Sequence, residues 1–253
     1  MVPGWPAAAL EAGAIAYRTY VVTTLRAARA RHKNKLRDEL LYSHDIRSTP
    51  VHQTYKGTHN CKSIYSAVQA TKGLILTHRG EPIVALYDAC CGGSIPARRV
   101  GAIDLDKAPY LARGYACNYC NHYKFYNWNH TYTLQELSEP VAGYLRKKGP
   151  ISAVKITKKD RAGAVQEFQV KIRNEWFTVP GAKFVALLKK LRSCTLSLVK
   201  RGSHIEFTGK GDGHQYGFCQ WGAHGLARKE WSCKRILQFY YPGTSLMKID
   251  QVL

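Results

Sequence analysis

Apolar positions along the chain recur first at helical spacing and then at strand spacing, in successive blocks. Residues 5–28 predict the clearest helix: alanines fill its interior, Pro6 stands in the first turn, and arginines gather at the C-terminal end, where the helix dipole favours cations. Residues 61–72 predict a second helix, with Asn60 as N-cap and Gly73 as its C-terminal glycine. Residues 74–78 and 82–88 alternate or run apolar about Arg79-Gly80-Glu81 and predict a hairpin. Thr133 followed by Glu136 is a capping box, opening a helix that ends before Gly149-Pro150. Beyond it, 151–157, 165–172 and 176–179 read as antiparallel strands, 182–191 as a basic helix, and 196–199 with 205–208 as a last strand pair. Residues 222–228 read as helical, and Ser232 caps a final helix that runs to the stop at Pro242-Gly243.

These blocks predict an α+β fold in a single mixed unit over residues 1–253: an Ala-rich N-terminal helix, antiparallel strands, and a C-terminal Gly-rich loop followed by helices. A chain of 253 residues supports one substantial core or a core with an inserted subdomain, and 45% hydrophobic composition excludes wholesale disorder. Lys and Arg number 38 against 17 Asp and Glu, a formal net charge of +21 that favours a polyanionic partner. Nucleic acid, an anionic membrane and an acidic wall polymer all qualify, but no recognisable nucleic-acid module is present, so nucleic acid is not expected. Eight cysteines suit disulfides in an oxidising compartment, while Cys117-x-x-Cys120-x-His122 equally suits a metal knuckle. Zinc there is the one cofactor expected. The chain has no secretory or membrane-spanning apolar run and begins almost on top of its first helix, so an upstream segment is expected.

Candidate chemistry concentrates in Gly211-Asp212-Gly213-His214-Gln215-Tyr216-Gly217-Phe218-Cys219-Gln220-Trp221-Gly222-Ala223. Its small residues let the backbone turn and approach a ligand, leaving His214 and Gln220 to hydrogen-bond it. Gly92 and Gly93, after Tyr87-Asp88-Ala89-Cys90-Cys91, permit a similar approach or form a structural turn. Eleven of the eighteen residues from Tyr115 to Tyr132 are Tyr, Phe, Trp, His or Cys, fit either to line a saccharide groove or to be buried under a loop. His44, His52 and His59 are spaced as loop histidines, ligands or solvent-exposed.

Gly-x-Gly-His-x-x-Gly-x-x-Gln-x-Gly-Ala, with the later Ile236-Leu237-x-x-Tyr240-Tyr241-Pro242-Gly243-Thr244, resembles the C-terminal signature of the SpoIID/LytB family. Trp5-Pro6-x-x-Ala9-Leu10-x-Ala12-x-Ala14-Ile15-Ala16-x-Arg18-Thr19-Tyr20 resembles that family's other signature, and Tyr87 to Gly93 resembles its Tyr-Ser-x-Ser-x-Gly-Gly segment. The resemblance implies a lytic transglycosylase of the cell envelope, cleaving the bond between N-acetylmuramic acid and N-acetylglucosamine to 1,6-anhydro products. Its implied partners are peptidoglycan glycan strands denuded of stem peptides and a cell-wall amidase. The family's catalytic glutamate falls immediately before Met1 and is absent from this chain, so the alternative is a non-catalytic glycan-binding or scaffolding protein of the envelope. Glu11, at the family's lysine position, reads as a solvated helical carboxylate and does not inherit the role. Carried over residue by residue, the substrate-binding candidates are Arg18, Tyr20, Gly93, Gly213, His214 and Gln220. Cys219, at the family's serine, reads as a small buried hydrophobe, a disulfide half or a reactive thiol. The first helix and the loop holding His214 are expected to face one another across a single cleft.

Overall fold

In the computed structural model, residues 1–32, 48, 57, 60–101 and 103–251 are described; His44, His52 and His59 lie outside them. Helix α1 (Ala7–His32) starts directly after Pro6, whose carbonyl accepts from Ala9 and Leu10. Ala9, Ala12, Ile15, Ala16 and Thr19 make its buried face, at the spacing that keeps side chains on one side of a helix. Helix α2 (Lys62–Ala70) packs on α1 and begins at Cys61 rather than Asn60, with no side-chain cap. Gly73, at φ +72°, ends that turn and delivers strand β1 (Leu74–His78). Arg79 and Gly80, both at positive φ, turn the chain into β2 (Glu81–Pro82), so the hairpin forms where expected but is shorter. Pro82 carries no N–H with which to extend it. The chain then breaks from the β1 edge and reappears as β3 (Tyr87–Asp88).

Residues 127–210 gather around a second hydrophobic core. Strand β4 (Asn127–Thr133) carries the end of the aromatic run, and Trp128 and Tyr132 are buried there rather than lining a groove. Helix α3 (Leu134–Leu145) opens on the expected capping box: Glu136 N donates to Thr133 Oγ1 at 3.0 Å and Thr133 N to Glu136 Oε2 at 2.7 Å. Strands β5 (Ile151–Lys159), β6 (Val165–Ile172) and β7 (Glu175–Pro180) form the antiparallel meander. Helix α4 (Gly181–Leu187) stops short of residue 191, because Lys190 N donates instead to the Tyr132 hydroxyl at 2.9 Å and Leu188 and Leu191 are drawn into the core. Strands β8 (Leu196–Arg201) and β9 (His204–Lys210) complete a sheet of order β4-β9-β8, and Phe168 stacks on Phe184 at 4.1 Å inside.

The chain returns to the first core through β10 (Phe218–Cys219), which pairs parallel with β3, Phe218 opposite Tyr87 and Cys219 opposite Asp88. Helices α5 (Gln220–Ala227) and α6 (Cys233–Tyr240) pack on α1, and β11 (Ser245–Lys248) takes the free edge of β1. Ser232 caps α6 as expected, its side chain accepting from Arg235 N. The architecture is α+β, with two hydrophobic cores where the pattern along the chain suggested one unit without an internal boundary. Among the described residues no helix is long and apolar enough to cross a membrane.

Candidate functional site

Arg18, Thr19 and Tyr20 seat α1 on the first core. The Arg18 guanidinium donates to the backbone carbonyls of Thr71 at 2.7 Å and Leu74 at 2.8 Å, filling the end of α2. Arg18, one of the substrate-binding candidates, is thus held as an anchor between α1 and the turn after α2. Thr19, fully buried, donates to Ile15 O and accepts from Leu76 N at 2.9 Å, tying helix to strand. Tyr20 is half-buried against Tyr87, ring centroids 5.9 Å apart and nearly perpendicular.

The Gly211–Ala223 loop is held by protein on its inner side. Cys90 and Asp212 exchange backbone hydrogen bonds of 3.1 and 2.7 Å, so the loop lies antiparallel to the segment after β3. Gly213, at φ +126°, is pressed onto the Asp88 side chain, where a Cβ would collide. Gly93, at φ +78°, would place a Cβ 3.1 Å from the Tyr126 hydroxyl. The close approaches expected of both glycines are therefore made to protein atoms. Gln215, passed over in the sequence in favour of its neighbours, is the hub: buried at positive φ, it donates Nε2 to Cys91 O and Lys210 O and accepts from Arg99 Nη1 and Thr195 Oγ1 at 2.7 Å each. Its backbone N–H reaches Asp88 Oδ2 at 2.6 Å. Burial pushes the Asp88 carboxyl well above the usual carboxylate range, opposed by that hydrogen bond, and its Oδ1 has no partner. The period-2 pattern gave no sign of Asp88, since an acid in an apolar strand reads as an edge residue.

His214 is solvent-accessible yet surrounded, on the wall of a hollow of about 570 Å³ between the two cores, lined also by Leu86, Arg99, Val165, Pro180 and Val185. Desolvation pulls its pKa down to about 4, with Arg99 adding to the shift and a backbone hydrogen bond at Tyr87 opposing it. Tyr216 N donates to His214 Nδ1 at 3.1 Å, so the neutral ring carries its proton on Nε2. Among the described residues, none of α1 lines this hollow.

The first helix meets the loop at Gln220 instead, the first residue of α5. Tyr17, four residues beyond Gly13 and three before Tyr20, sits with its hydroxyl beside Gln220, buried and without a well-aligned partner. Its ring lies 4.4 Å from that of Tyr87. Met1 folds over Gly13, one turn earlier on the same face. On the other flank, Trp221 stacks on Tyr123 with centroids 4.9 Å apart and planes 24° apart, and meets Trp5 edge-on at 5.0 Å. Tyr123 donates its hydroxyl to Asp212 Oδ2 at 2.9 Å, and Arg192 reaches the same oxygen at 3.2 Å. Gln220 thus has the Tyr17 hydroxyl beside it and Trp221 next to it in the chain.

Residues 1–78 match the Stage II sporulation protein family, and residues 110–217, which bracket the second core, match a domain of unknown function, DUF8618. The whole chain aligns at 31% identity with an uncharacterized protein of Brachyspira hyodysenteriae, spanning 64% of it. It aligns at 26% with Stage II sporulation protein D of Bacillus subtilis and at 24% with that of Bacillus amyloliquefaciens, over 97% of this chain and 70% of each relative. These matches support a SpoIID family assignment. The family match covers α1, α2 and β1, the segment in which Arg18, Thr19 and Tyr20 lock helix to strand.

Two other expectations from the sequence find their places here. Glu11 lies on α1 against Cys233 of α6, outside the Tyr17–Gln220 contact. The knuckle cysteines Cys117 and Cys120 are buried and come together with Cys91 and Cys219, their four sulfurs all within 4.8 Å of one another. His122, expected as their companion ligand, lies outside that group: it is exposed, and its Nε2 pairs with His224 Nδ1 at 3.0 Å. The two missed sulfurs come from residues 29 and 99 positions away from Cys120, separations that no local spacing reports.

Proposed function

We propose that this SpoIID chain binds glycan strands of the bacterial cell wall at Gln220 and cleaves them as a lytic transglycosylase in the cell envelope. The observation that carries the reading is the meeting of the two family signatures where Tyr17 reaches Gln220, with Tyr20 and Tyr87 packed near Tyr17 and Tyr123 stacked on the neighbouring Trp221. Aromatic faces pack against the apolar faces of sugar rings while an amide and hydroxyls bond their edges. A muramoyl unit without its stem peptide exposes a lactyl carboxylate, so a denuded strand is a regularly spaced polyanion suited to a chain of charge +21.

The acid of the reaction is the glutamate that the resemblance places immediately before Met1. There the acid donates its proton to the glycosidic oxygen as the C1–O bond breaks, and the muramic 6-hydroxyl adds to C1 in place of water, returning its proton to the carboxylate. A wall amidase that strips stem peptides would supply the strand.

The test is a chain extended upstream by its own codons, or by one glutamate, incubated with denuded glycan strands. Products ending in 1,6-anhydro rings, one water lighter than hydrolytic ends, are expected with Glu and not with Gln at that position. Strand binding that is lost in Gln220→Ala but never accompanied by anhydro ends would replace the enzyme reading with a scaffolding one. No binding at all would end both.

A further inference from the structure

We infer that Cys91, Cys117, Cys120 and Cys219 hold one zinc ion, which ties the loop after β3, the 117–120 knuckle and the start of α5 to a single point. Four zinc–sulfur bonds of about 2.3 Å in a tetrahedron place the sulfurs about 3.8 Å apart. Cys91 Sγ and Cys120 Sγ are 3.8 Å apart, and no pair among the four exceeds 4.8 Å. An iron–sulfur cluster, with sulfides bridging several metals, needs its thiolates spread wider. Four soft thiolates in a closed, fully buried site select zinc over magnesium, calcium or manganese, which take oxygen ligands.

Several contacts around the four sulfurs suit thiolates. Cys219 Sγ accepts from two backbone N–H groups, Cys91 and Gly222, each at 3.3 Å, and it caps the N-terminus of α5, where the helix dipole favours negative charge. The hydroxyl of Tyr240, completely buried, lies 3.2 Å from Cys117 Sγ, close enough to donate to a thiolate there. Arg113 supplies a second and independent sign. Its side chain is 1% exposed, it makes no ion pair with a carboxylate among the described residues, and its Nε has no partner. It donates to Ser94 O, on the turn that Cys91 opens, and its guanidinium stands 5.7 Å from the ring centre of Tyr240. A buried cation without a counter-charge is costly, and four thiolates around a divalent ion leave the net negative charge that would balance it.

Cys90, next in the chain to a ligand and itself buried, stays outside the tetrahedron and points its sulfur at Cys120 O. The ligands are local only within the knuckle; the other two stand one residue before Gly92 and one before Gln220, so the ion fixes both motif segments relative to each other. Its role is structural, since all four positions are protein sulfur and none is left open for a substrate.

The chain purified under reducing conditions without chelator is expected to carry about one zinc per molecule. Cobalt exchanged into it should show the intense sulfur-to-metal charge-transfer band and the visible bands of a tetrahedral thiolate site, a measurement that needs no variant. Cys120→Ser and Cys219→Ser should lower bound metal on the order of tenfold or more, while Cys90→Ala and Cys194→Ser keep it. The inference is overturned by a metal-free chain whose thiols all react freely, by a Cys117–Cys120 disulfide, by bound iron in place of zinc, or by a cobalt spectrum without thiolate bands. Loss of glycan cleavage with zinc retained would bear on the proposed function alone.

Discussion

Gly222 of α5 and Tyr240 of α6 lie so close that no Cβ fits between them: one built on Gly222 collides with the Tyr240 hydroxyl and comes within 2.7 Å of Cys117 Sγ. The glycine of the Gln-x-Gly-Ala motif is therefore a packing requirement, set by the phenol that reaches over it to a buried sulfur.

Gly222→Ala should destabilise the protein despite replacing a helical glycine. Alanine gains up to about 1 kcal/mol in a helix interior, but overpacking against a side chain as buried as Tyr240 costs about 1–3 kcal/mol. Gly143→Ala in α3, where a Cβ meets nothing within 4 Å, should instead stabilise by up to about 1 kcal/mol. Denaturant midpoints of the two variants should move in opposite directions, and a stabilised Gly222→Ala would show that α5 and α6 are not packed as described.

Arg18→Met should unfold at lower denaturant, by about 1.5–3 kcal/mol for the loss of charged hydrogen bonds to Thr71 O and Leu74 O. Affinity for glycan strands, measured below the unfolding transition, should be unchanged. A variant of native stability with weakened binding would return Arg18 to the substrate side.

His214 makes stability depend on pH. Its folded pKa, near 4, lies below the ordinary value of about 6.5, so between these limits the unfolded chain binds a proton that the folded chain does not. Its contribution is full above about pH 6.5 and is lost as pH falls towards 4. Subtracting the pH–stability curve of His214→Gln from that of the native chain should leave a difference that declines over this window. A flat difference would mean that the imidazole is free in water in both states.

Much of the fold was legible where a few adjacent residues decide the outcome. The Thr133/Glu136 box, the Ser232 cap, the Arg79-Gly80 turn and the meander from residue 151 to 180 each follow from local hydrogen bonding or period-2 alternation. Two-residue strands carry no period, so the parallel pairing of Tyr87-Asp88 with Phe218-Cys219 left no trace in the pattern, although it builds the centre of the site. Local signals also failed where a distant partner won. The Tyr132 hydroxyl ends α4 early, Asp88 is buried by a loop 127 residues away at Gln215, and the Arg18 guanidinium turns to α2 although its sequence context reads as an anion contact. Gln220 stood out in the sequence as an amide among small and aromatic residues, while Gln215, in the same loop, was passed over although it holds the loop together.

Asn127 and Lys210 stand opposite each other in register, so the polypeptide leaves the first core and comes back to it at one doorway. What lies between them, apart from Arg192 and Thr195, which hold Asp212 and Gln215, can grow, shrink or be exchanged without rerouting the strands and helices that surround Gln220. Evolution is thereby free to remodel much of the annexe, and with it the wall of the hollow facing His214, while the rings about Tyr17 and Trp221 keep their places.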